Sequence, residues 1–334
     1  MSFKSFARLG ANRWRWAAAL AGSVLLASCG GGTQIEPFIP TRVLAFGDEL
    51  STIEADGRKY SINAFKQVLG PDGVTYIDDP AGTLDCTRYP IWVQSVASSF
   101  GLAFDQCLGA ATVAKGQMLA RPGQKVADFA AQIAAVQGDA LGQKDLALVM
   151  FGQNDILELY GQYPTRGHDD LLNEARTRGA ALGTLINQLA KSGPAVVVIT
   201  TPDIGYSPFA IAQNTSTGED RAFLIRELVE AFNNRMSVTL INDGHLIGLA
   251  YGDIELQNVV KAPQNYGLTN VSAAACLDTA PLPGCTTATL VPATLTEAAA
   301  TANTWLWADS LLPTPAFQGR LAFLASNRAH SNPF

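Results

Sequence analysis

Three short runs of apolar residues limit what this chain can fold into. They are Arg42-Val43-Leu44-Ala45-Phe46, Leu146-Ala147-Leu148-Val149-Met150-Phe151 and Ala195-Val196-Val197-Val198-Ile199-Thr200-Thr201. A strand with one face in water alternates apolar and polar residues, whereas an unbroken run must be covered on both faces. Each run also stops at a turn former: Gly47-Asp48, Gly152 and Pro202. Between them, helical spacing appears at 90–100, 124–137, 170–192, 218–240 and 313–328, and a further strand at His245–Ala250. Strands alternating with helices predict an α/β fold, a three-layer α/β/α sandwich on a parallel sheet, as one domain over 42–334. In such sheets functional groups gather at the carboxyl ends of the strands.

Composition is consistent with a large core: 48% of the 334 residues are apolar and 16% charged. The net charge is −6, but Lys4, Arg8, Arg13 and Arg15 sit in the first 28 residues, which hold no acid. The remainder carries 19 basic and 29 acidic residues, an imbalance that argues against a nucleic-acid partner.

The basic cluster precedes a short apolar stretch, Trp16 to Ala27, too short to span a bilayer comfortably. It ends in Leu26-Ala27-Ser28-Cys29, followed by three glycines. This resembles the lipobox of bacterial lipoproteins. The resemblance implies a signal peptide over 1–28, lipidation at Cys29, a tether over 29–41 and anchorage to the outer membrane. The alternative is an ordinary signal peptide with an incidental cysteine. No barrel domain is expected after Phe334, so self-translocation is not expected either.

Export favours disulfides among the four remaining cysteines. Cys276 and Cys285 flank a turn-rich segment and predict a local bridge, which leaves Cys86 to pair with Cys107. No CxxC pair occurs, so neither a thiol-redox nor a zinc site is expected.

Four blocks then resemble the SGNH/GDSL hydrolases. Phe46-Gly47-Asp48-Glu49-Leu50-Ser51 is similar to the first block, Gly-Asp-Ser-Leu-Ser. Gly109-Ala110-Ala111-Thr112 resembles the second, whose glycine donates a backbone N–H. Gly152-Gln153-Asn154-Asp155 resembles the third, Gly-x-Asn-Asp. Asp309-Ser310-Leu311-Leu312-Pro313-Thr314 resembles the last, Asp-x-x-His-Pro-Thr. Pro202 to Pro208 and Asn265 to Val271 also resemble segments of the lipolytic branch. The resemblance implies hydrolysis of small-molecule, lipid or acylated-glycan esters without a cofactor or metal. It implies an oxyanion hole made by residue 49, Gly109 and Asn154, with Asp309 as the triad acid.

Two positions depart from that pattern. Glu49 stands at the nucleophile position and Leu312 at the histidine position. The attacking pair is missing, while Gly109, Asn154 and Asp309 keep the expected types. Ser51, two residues on, is expected to point away from the nucleophile site. Of the three histidines, His168 and His245 read as structural or solvated, and His330 reaches the site only if the tail folds back. Glu49 keeps three readings: a drifted site, a carboxylate filling the hole, or a pair with Asp309 that acts on water or binds a cation. The expectation is a hydrolase-family protein that is catalytically altered or inactive. An envelope protein using the inherited cleft to bind acyl or glycan ligands is the alternative.

Overall fold

The computed structural model describes residues 37–111 and 113–331. The signal peptide, Cys29 and most of the tether lie outside them. The folded body takes in Phe38, whose ring lies 6.4 Å from that of Phe100. Pro40 is buried as well, so the last residues of the expected tether belong to the domain.

The sheet has the order β4-β1-β5-β6-β7, with every neighbouring pair parallel. Its strands are β1 (Arg42–Gly47), β4 (Gly116–Met118), β5 (Asp145–Met150), β6 (Ala195–Ile199) and β7 (Ile247–Ala250). Val43 pairs with Leu146, and Leu148 with Val197. Unbroken apolar runs are needed because the alternate side chains enter two separate cores. Val43, Ala45, Leu146, Leu148, Val197 and Ile199 pack into one. Leu44, Phe46, Ala147, Val149, Val196 and Val198 pack into the other.

The first core is covered by α1 (Trp92–Ser99), α7 (Gly252–Lys261) and α8 (Pro315–His330). The second is covered by α2 (Phe129–Ala134), α3 (Gln153–Tyr160), α4 (His168–Lys191), α5 (Pro208–Thr217) and α6 (Arg221–Thr239). Two small sheets lie outside the main one: the antiparallel hairpin β2 (Gln67–Leu69) and β3 (Tyr76–Asp78), and the parallel pair β8 (Asn270–Ala274) and β9 (Trp305–Trp307). The two disulfides join Cys86 to Cys107 and Cys276 to Cys285, with Cα separations of 5.8 and 6.0 Å, in the usual range.

The helix expected over 218–240 is α6, which Asp220 starts by accepting the Phe223 N–H at 3.0 Å; Gly218, in the left-handed region, ends α5 just before it. The helix expected over 124–137 is a 3-10 turn at Val126–Asp128 followed by the short α2. No helix among the described residues is long and apolar enough to cross a membrane.

Candidate functional site

The carboxyl ends of β1, β4 and β5 converge on Glu49. Asp48 leaves β1 and accepts the Leu50 N–H at 3.1 Å, which fixes the 3-10 turn Glu49–Ser51. β5 leaves through Gly152, at φ 132°, where a Cβ would lie 2.2 Å from Thr201 Oγ1. Only glycine fits that exit, and it aims the start of α3 at Glu49. Asn154 Nδ2 donates to Glu49 Oε2 at 3.0 Å, and Gln153 Nε2 is 3.4 Å from Oε1. The loop leaving β4 supplies the third donor: the Gly123 N–H reaches Glu49 Oε2 at 2.9 Å.

That loop is secured to α3 at several points. Asn154 Nδ2 also donates to Gln124 O at 3.2 Å. Asp155 Oδ2 accepts the Val126 N–H at 3.0 Å, and its Oδ1 accepts from Arg178 at 3.3 Å. Lys125 pairs with Glu158 at 2.8 Å. Burial raises the Asp155 carboxyl, opposed by the Val126 N–H and by Arg178. Asp155 is therefore a structural hydrogen-bonding residue.

The backbone donor expected at Gly109 is not the N–H that reaches Glu49 in the structure. Gly109 precedes β4 and lines a separate cavity with Thr87 and Gln94. The N–H at Glu49 belongs to Gly123, after β4, as it must if the donor sits at the carboxyl end of the strand beside β1. The signal was that position, but β4 is only Gly-Gln-Met and makes no apolar run.

Asp309 and Leu312 sit in the turn between β9 and α8. Asp309 Oδ1 accepts the N–H groups of Leu311 at 2.8 Å and Leu312 at 2.6 Å. Burial raises the Asp309 carboxyl, those two N–H groups oppose the rise, and the charge of Glu49 adds to it. Leu312 is 6% exposed and packs in the first core, so an apolar side chain fills its position. Tyr60 donates to Glu54 at 2.8 Å, and its hydroxyl is pushed up to about 12 by burial first and then by Glu54 and Glu49.

Ser51 and the three histidines are the other candidates for a nucleophile and base. Ser51 is fully buried and accepts the Trp92 indole N–H at 3.1 Å. His168 lies between Asp169 and Glu227, at 3.0 and 2.9 Å. His245 precedes β7, at the opposite end of the sheet. His330, the outside candidate, ends α8, about 22 Å along the axis from the helix start beside Leu312. Its Nε2 is 3.0 Å from Ser99 Oγ, but the Ser99 hydroxyl donates to Val96 O at 2.7 Å and is not delivered to the ring. Among the described residues, no group of three or more His, Cys, Asp or Glu side chains is placed to hold a metal ion.

Several solved structures are similar to this chain. One is an acetylxylan esterase from Geobacillus stearothermophilus, 14% identical, covering 88% of this chain and 97% of that one, with a TM-score of 0.42. Another is a catalytic mutant of that enzyme, 14% identical, covering 87% and 95%, with a TM-score of 0.43. No curated protein matches the sequence. The GDSL-like Lipase/Acylhydrolase family model matches residues 43–322, most of the chain, and the chain therefore belongs to that family.

Proposed function

We propose that this GDSL-family chain uses its cleft to bind acyl-bearing ligands, lipid or acylated glycan, without serine-based turnover. One observation carries the reading: Glu49 Oε2 takes hydrogen bonds from both the Gly123 N–H and the Asn154 amide. A tetrahedral intermediate needs such donors for its oxyanion. Here a side-chain carboxylate already holds them, and its negative charge opposes a second one beside it. Water activation by Glu49 meets the same obstacle, because the base occupies the donors the reaction needs.

The test restores the missing pair. Glu49→Ser frees the donors and supplies a hydroxyl, and Leu312→His places an imidazole three residues after Asp309. The folded double variant is expected to hydrolyse p-nitrophenyl acetate measurably above the wild type, and neither single variant to do so. The buried ring costs about 1–3 kcal/mol if it finds no partner, so folding is checked by thermal melting. Robust wild-type turnover that survives Glu49→Ala contradicts the reading.

We also propose export and lipid anchorage through Cys29, supported by the Leu-Ala-Ser-Cys sequence at the end of the apolar run. Several acyl chains on one cysteine would hold the chain stably at the outer membrane. Mass spectrometry of the mature N-terminus is expected to find an acylated Cys29. An unmodified mature N-terminus at another residue contradicts it.

A further inference from the structure

We infer that the chain has a second binding site, for a neutral oligosaccharide, in the cavity between α1 and the loop that follows it. The cavity has a volume of about 930 Å³, at the upper end of the roughly 300–1,000 Å³ usual for ligand pockets. It runs beside α1, whose eight residues span about 12 Å. The Cys86–Cys107 disulfide ties its two walls together, one reaching Thr87 and the other Leu108. None of the residues lining it carries a charge.

The lining selects the ligand chemistry. An ionised ligand would give up water and meet no counter-charge. The polar side chains are of two kinds. Three are engaged: Gln94 accepts the Ile91 N–H at 3.0 Å and donates to Cys86 O at 3.2 Å, Thr87 donates to Asp85 at 2.6 Å, and Ser99 donates to Val96 O at 2.7 Å. The hydroxyls of Ser95 and Ser98, three residues apart on one face of α1, have no hydrogen-bond partner among the described residues. A purely alkyl ligand would bury them unsatisfied. Leu102 and Leu108 add apolar surface. A neutral sugar chain meets both demands, with hydroxyls for the serines and C–H faces for the leucines. This site is lined by none of Glu49, Asn154 and Asp309, so it stands whatever Glu49 does.

The test is calorimetric titration of the full chain with cellohexaose, xylohexaose and chitohexaose. At least one is expected to bind. Ser95→Ala with Ser98→Ala should weaken that binding by about tenfold, the loss expected for two hydrogen bonds, with little change in melting temperature. Ser98→Trp, a substitution at an exposed position, should abolish it by filling the cavity. Glu49→Ala should leave it unchanged. The inference is overturned if no hexaose binds at millimolar concentration, if the serine variants bind as the wild type does, or if Glu49→Ala removes the binding.

Discussion

Glu49 takes hydrogen bonds from the Gly123 N–H and the Asn154 amide, and its neighbour Asp48 feels its charge. Asp48 is fully buried, its Oδ1 accepts the Leu50 N–H, and its Oδ2 has no partner among the described residues. Burial pushes its carboxyl well above the usual range, and the charges of Glu49 and Asp155 add to the rise while the Leu50 N–H opposes it. The folded chain therefore keeps a proton that the unfolded chain releases near pH 4. That contribution to stability is complete below the unfolded value and is lost as pH rises toward the folded value. Asp203 acts in the same direction, since burial raises it to about 6. Asp48→Asn keeps the acceptor for Leu50 and removes the titration. The variant is expected to melt roughly 2–4 °C or more above the wild type at pH 7.5, with the gap closing toward pH 4.5. An equal loss of melting temperature at both pH values would show that the carboxyl itself is needed.

At the scale of elements, the cleft depends on how closely α4 and α6 pack behind it. Gly179 of α4 faces the α6 backbone, where a Cβ would lie 2.2 Å from Phe232 O. Arg178, the preceding residue, reaches Asp155 and Glu158 of α3, and Asp155 holds the loop that carries Gly123. Gly179→Ala must push α6 away, at an expected cost of about 1–3 kcal/mol in denaturant unfolding despite the gain in helix propensity. A neutral or stabilising result would show that the two helices are not pinned at this point. Beside α5, α7, β8 and β9, the elements not expected from the sequence include three without a pattern to read. β4 is three residues of Gly, Gln and Met, the β2–β3 hairpin is exposed at Leu69 and Tyr76, and α3 follows its strand too closely to stand apart as a periodic run.

For the whole molecule, the fold was legible because both faces of the sheet are buried, so β1, β5 and β6 could be written only as unbroken apolar runs. Both disulfides were legible from cysteine count and spacing. The site was legible in part. Glu49 and Asn154 each sit within a strand-end motif, and the structure brings the Asn154 amide to Glu49. Gly123 could not be placed, because its role depends on which strand lies beside β1, a fact of topology rather than of local sequence.

The Glu49 carboxylate occupies the donor pair formed by the Gly123 N–H and the Asn154 amide. Amide NMR of Gly123 reads this out, in the wild type and in Glu49→Ala, each titrated with acetate. Glu49→Ala is expected to shift the Gly123 amide resonance, and acetate to shift it back saturably in the variant while leaving the wild type unmoved. A Gly123 amide indifferent to the loss of Glu49, or acetate shifts identical in the two proteins, would contradict it.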